Sequence, residues 1–179
     1  MRRLRDESGM TIVELIVVCA VLVIVMGALS NVFISGLRAS SDGQARLAAQ
    51  EKIRTALDRL EYEARCAQTA TIVSGGAGVA LSLPGQCPHA TGNVAWCVSG
   101  GTLQRVAGAT DCSLPGQTFV EGVASATPFS CLAPVGPLPQ LQVALTVTAA
   151  SSPGASTSAT DTITLRNAQY TTSTFSSCT

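Results

Sequence analysis

The chain has 179 residues, 46% of them hydrophobic and only 12% charged, with eleven basic side chains balanced by eleven acidic ones. So neutral a chain offers no electrostatic footprint for nucleic acid, and its length leaves room for one modest domain beyond an apolar anchor. With one histidine, His89 in "CPHATG", and no CxxC, the sequence shows neither a nucleophile elbow with its triad nor a zinc site, and no cofactor or metal is expected.

The chain begins "MRRLRDESG", and from Met10 to Leu29 every residue is apolar or small except Thr11 and Glu14. Those 20 positions, at about 1.5 Å each, span about 30 Å, the thickness of a bilayer's hydrocarbon. Arg2, Arg3 and Arg5 on the short flank hold it in the cytoplasm, so the bulk of the chain is expected to be exported. A secretory signal has the same basic start but an apolar core of roughly 7–15 residues. A cut within "GALSN" near Ser30 would make the protein an ordinary secreted one, and would leave Glu14 without a purpose. A carboxylate at the centre of a spanning helix costs about 2.5–3.5 kcal/mol, which makes it a functional candidate. Glu14 lies only about 6 Å along the helix from Met10, where headgroup water is the simpler explanation.

"GMTIVELIVV" resembles the leader of type IV prepilins and type II secretion pseudopilins. The resemblance implies that Gly9 is the last leader residue, that prepilin peptidase cuts before Met10, and that Met10 becomes an N-methylated new terminus. It gives Glu14 the role of assembly and register residue. The new α-amine, with a reference pKa of about 7.7–8.0, is largely cationic near neutrality. In a bundle of spans it pairs with Glu14 of a neighbour, and low dielectric strengthens the attraction. The implied partners are prepilin peptidase, other pilins or pseudopilins, an inner-membrane assembly platform and, before assembly, the lipid bilayer. Met10 stands where the family usually has Phe, and Asn31 where many pilins have Pro.

Beyond the span, Ile53, Leu57, Leu60 and Ala64 recur at helical spacing, with Arg54, Asp58, Arg59, Glu61, Glu63 and Arg65 read as a solvated opposite face. Ser41 and Gln44 suggest a capping box and a helix start, and Gly36 and Gly43 a kink or opening. If unbroken from Met10 to Gln68, the helix would be about 90 Å long.

Six cysteines follow the span: Cys66, Cys87, Cys97, Cys112, Cys131 and Cys178. An even number beyond an anchor points to disulfides in an oxidising compartment, with local pairs Cys87–Cys97 and Cys112–Cys131 expected among about fifteen full connectivities. Cys19, inside the span, follows bulky Val18 and so lacks a lipobox.

The remainder reads as short strands. "TIVSGGAGVALSL" and "VAWCVSGGTLQRV" are runs folded about glycine turns. "TFVEGV", "TPFSCL", "LQVALTV" and "DTITLR" follow, with "ASSPGASTSAT" as a hairpin loop between the last two. Trp96 and Phe119 read as core, the glycines of "GGAG" as a turn, and Asp111, Glu121 and Asp161 as too scattered for paired-carboxylate catalysis.

The expected class is α+β: a long N-terminal transmembrane-plus-amphipathic helix packed on a disulfide-stabilised antiparallel β-sheet, pilin-like by resemblance. The organisation is leader 1–9, spanning and assembly helix 10–30, amphipathic helix 31–68 and exported β-rich domain 69–179. The "TDC", "EGV" and "LRNA" segments are similar to J-type minor pseudopilins and minor pilins. The function implied is a non-enzymatic minor pilin or pseudopilin of the cytoplasmic membrane, N-terminus inside, assembled into a pilus or pseudopilus. The alternative is a membrane-anchored exported ligand-binding module that enters no filament.

Overall fold

The computed structural model describes residues 11–87, 92–135, 138–148 and 156–167. The chain forms two compact units, Met1–Ser41 and Asp42–Thr179. Helix α1, Ile12–Cys66, contributes to both.

In the first unit, α1 presents its Val, Leu and Ile side chains to the outside throughout. An 18-residue window of α1 has a mean hydropathy of 3.0, so the helix is long and apolar enough to cross a membrane. Neither the expected start at Ser41 nor a break at Gly36 or Gly43 occurs, since all three lie inside α1. Each glycine costs about 1 kcal/mol relative to Ala. No proline stands between them, and Leu37, Arg38, Ala39, Ala45, Arg46 and Leu47 are strong helix formers.

The second unit carries the strands. β1 (Thr69–Val73), β2 (Gly78–Leu83), β3 (Gly92–Ser99), β4 (Thr102–Ala107) and β5 (Gln117–Glu121) form an antiparallel meander in sequence order. β6 (Phe129–Val135), β7 (Leu138–Thr148) and β8 (Ser156–Thr164) form a second antiparallel sheet. The strands thus make two sheets rather than one. They meet where Val123 bridges Val147, Ala124 N–H donates to the Thr146 carbonyl at 2.8 Å, and Thr148 N–H donates to that of Gly122 at 2.8 Å. Gly122 sits at φ +76°, and a Cβ there would strike the Thr148 carbonyl oxygen, so the junction requires glycine.

The glycine turns fall where the sequence places them. Gly100 and Gly101, at φ +57° and +72°, reverse the chain between β3 and β4. The "ASSPGASTSAT" segment is shorter as a loop than expected, because Ser156–Thr160 belong to β8, with Thr157 opposite Val147 and Ala159 opposite Leu145. Alternating Ser and Thr can satisfy a half-exposed strand as well as a loop, and the β7 register decides between them.

Between helix and sheets lies the core. Ala49, Ile53, Ala56, Leu60, Glu63 and Ala64 are the buried residues of α1, and all but Glu63 pack in one cluster with Val79, Leu81, Trp96, Leu103, Val143 and Leu145. Full burial of an Ile or Leu contributes about 1.5–3 kcal/mol. Leu57, expected at the centre of the stripe, is only partly buried at its rim. The side-chain amide of Asn167 donates to the Cys66 carbonyl at 3.0 Å, satisfying one of the acceptors at the end of α1.

Two disulfides, Cys66–Cys87 and Cys97–Cys112, join cysteines with Cα atoms 6.1 and 5.7 Å apart. The expected local pairs Cys87–Cys97 and Cys112–Cys131 are therefore not formed. The reason is the pleat. Cys87 belongs to the core cluster beneath α1, whereas Cys97 points with Ala95 to the opposite face of β3 and packs with Val106 and Ala109. Cys131, on β6, is also disulfide-bonded. Cys178, the remaining candidate, lies outside the described residues. Chymotryptic mapping of the denatured, non-reduced chain, with cuts after Leu81, Trp96, Leu103 and Phe119 separating these cysteines, should return the 66–87 and 97–112 linked peptides; an 87–97 peptide would contradict the arrangement.

Candidate assembly helix and the buried Glu63 cluster

Thr11 stands just before α1. Its hydroxyl oxygen accepts from the Glu14 N–H at 3.4 Å, and its carbonyl accepts from the Leu15 N–H at 3.1 Å. This is an N-cap, and the "TIVE" spacing is that of a capping box, a signal the sequence holds in plain view. Glu14 is the acidic residue of the first helical turn, where the positive end of the helix dipole favours a carboxylate. Its side chain is exposed, among exposed Ile12, Val13, Leu15 and Ile16. From there to Arg38 no other Asp, Glu, Lys or Arg occurs. Gly9 and Met10, the expected cleavage and methylation positions, lie outside the described residues.

Residues 4–30 match the model of the prokaryotic N-terminal methylation motif. The chain carries a prepilin-type methylation leader. No curated protein and no solved structure matches the chain. The motif supports a pilin- or pseudopilin-like processed precursor, and the long apolar helix fits a membrane anchor. Such a leader implies processing by prepilin peptidase and assembly with other pilins. The motif points to a structural protein rather than an enzyme.

In the second unit, one charged side chain is buried among the described residues. Glu63 is 2% exposed. Its Oε2 accepts from the Trp96 indole N–H at 2.9 Å, and its Oε1 accepts from Arg59 Nε and Arg105 Nε, each at 2.9 Å. Trp96 and Arg105 are cross-strand partners on β3 and β4, so the pleat directs both to the same carboxylate. The expectation of a solvated face therefore fails at Glu63, and Arg59 is half-buried with it. Glu63 stands seven residues after Ala56, nearly two full turns, and so shares the face that α1 turns to the sheet. Glu61–Arg65, by contrast, is a surface ion pair as expected.

Two guanidiniums and an indole N–H saturate the carboxylate. Its chemistry is structural: it ties α1 to β3 and β4. Trp96 stacks at a tilt on Phe119, with ring centroids 4.8 Å apart, and is fully buried, as the core assignment expected.

The remaining acids stay apart. Asp111 accepts from the hydroxyl and the backbone N–H of Ser113, which hold its carboxyl below the ordinary range. Asp161 accepts from the Thr162 N–H at 2.8 Å. Among the described residues no three His, Cys, Asp or Glu side chains gather as a metal site would need.

Proposed function

We infer that the chain is a minor pilin or pseudopilin, a structural subunit of a type IV pilus-like or type II secretion-like filament. It is inserted in the cytoplasmic membrane with its N-terminus inside, cut between Gly9 and Met10, and N-methylated on Met10. The resulting N-terminal helix, 10–30, carries assembly, the Glu14 carboxylate of one subunit pairing with the Met10 ammonium of the next. The segment 31–68 continues it, and 69–179 is the exported domain.

The observation that carries this reading is the methylation motif over residues 4–30, joined to a lone carboxylate on an otherwise apolar, exposed helix. A charge in that position has no partner within its own helix. A bundle of identical or related helices supplies one.

The test is the N-terminal residue and mass of the protein isolated from its native membranes. The expected product begins at Met10 with one added methyl group. A chain that keeps Met1, or one that begins at Asn31, would overturn the reading in favour of a tethered binding module or a secreted protein respectively.

A further inference from the structure

Strand β8 is bonded to β7 on one side, and among the described residues no strand lies on its other side. The Leu165 N–H donates to the Pro139 carbonyl, and Ile163, Asp161, Ala159 and Thr157 follow in register with Leu141, Val143, Leu145 and Val147. Main-chain groups alternate in direction along a strand. Those of Ser156, Ser158, Thr160, Thr162 and Thr164 therefore face away from β7. The Thr162 N–H is occupied by the Asp161 carboxylate. Among the described residues, Ser156, Ser158 and Thr160 thus offer a run of three donors at two-residue spacing, with Thr164 a fourth beyond Thr162.

Natural sheets blunt such edges with Pro, Lys or a bulge. β8 has no Pro or Lys, and its register with β7 runs without a shift over nine pairs. A groove of about 300 Å³ lies between α1 and this strand. Ile53, Leu57 and Ala159 give it apolar lining, and Arg54, Asp58 and Asp161 give it a net charge of one base minus two acids, or −1. That volume, at the low end of the range for ligand sites, has room for an aliphatic side chain and parts of its neighbours.

We propose that Ser156–Thr160 accepts an extended segment of another polypeptide as a fourth strand of this sheet. Main-chain hydrogen bonds supply the affinity, and the groove supplies the selectivity. An aliphatic side chain of the segment seats over Ile53 and Leu57, and basic neighbours face Asp58 and Asp161. A second copy of the chain is a poorer occupant. The Ser156–Thr160 strand of a second copy carries neither a basic residue nor a large aliphatic one to offer the groove. The inference stands independently of the filament role.

The experiment uses the full chain in detergent micelles and a fluorescein-labelled nonapeptide, Thr-Thr-Arg-Thr-Leu-Thr-Arg-Thr-Thr, read by anisotropy. Saturable binding is expected. Thr160→Pro, which deletes an edge donor not used by β7, should weaken it about tenfold, the value of one good hydrogen bond. Replacing the two Arg by Glu, or N-methylating alternate peptide amides, should weaken it at least as much. Thr160→Val keeps the donor and should bind as the parent does. Leu57→Glu, at a partly exposed position, tests the groove without touching the edge, and should also weaken binding. The proposal is overturned if the parent chain shows no saturable binding, or if N-methylated and plain peptides bind alike. It also falls if sedimentation shows a peptide-free dimer that Thr160→Pro dissolves, since the occupant is then a second copy.

Discussion

Replacing Glu14 by Ala should leave membrane insertion and the cut after Gly9 intact while reducing incorporation into filaments by at least tenfold, a loss of about 1.4 kcal/mol or more per subunit contact. The insertion step is expected to become easier, since a carboxylate in a span costs free energy and a methyl group does not. Assembly is expected to suffer for the opposite reason. In a bundle the Met10 ammonium would remain, buried and without its carboxylate, and an uncompensated buried charge costs about 3–5 kcal/mol. The measurement is the ratio of sheared filament to membrane-bound protein on an immunoblot, with the N-terminus checked in both fractions. Parent-like incorporation of Glu14→Ala would remove Glu14 from the assembly mechanism. Glu14→Gln separates the two contributions, because it keeps the shape and polarity and removes only the charge.

The second large effect is expected at Glu63. Glu63→Ala should destabilise the Asp42–Thr179 unit by about 3–5 kcal/mol, because Arg59, Arg105 and the Trp96 indole all lose their acceptor together. For a domain of this size that corresponds to a fall in Tm of roughly 10 °C. Trp96 is the one tryptophan of the chain, and its N–H touches the mutated group, so its fluorescence reports the transition directly. Glu61→Ala, which breaks only the surface pair with Arg65, should cost less than about 1 kcal/mol. A Glu63→Ala change as mild as Glu61→Ala would show that the cluster adds no stability. A compensated variant, Glu63→Leu with Arg105→Leu, should recover much of the loss, since buried ion clusters are commonly replaceable by packed apolar groups.

The features that carry the proposed function are the ones written most plainly. An unbroken apolar run, a basic flank and one carboxylate at a fixed offset from a glycine are local features, readable without any fold, and the methylation motif covers that same stretch. The β3–β4 hairpin was legible for a related reason: Gly100 and Gly101 adopt positive φ values that few other residues tolerate. The capping role of Thr11 was equally local, although the more conspicuous leader overshadowed it.

Glu63 shows where local reading fails. By residue type it belongs to a charged surface row, and by helical phase it belongs to the core; periodicity of apolar residues alone cannot place an acid in the buried row. Its burial becomes tolerable only because Trp96 and Arg105 arrive from two strands more than thirty residues away. The disulfides follow the same logic. Sequence proximity favours Cys87 with Cys97, yet the alternation of β3 sends Cys97 to the face away from α1, and Cys112 is brought to it there. The sequence by itself determined the long apolar helix, the leader and the β3–β4 glycine turn, because these depend on hydropathy and backbone freedom within a few residues. Only the tertiary structure decided which charge is buried, which cysteines pair and which strand is left with an open edge, because each of those depends on partners that register and packing deliver from far along the chain.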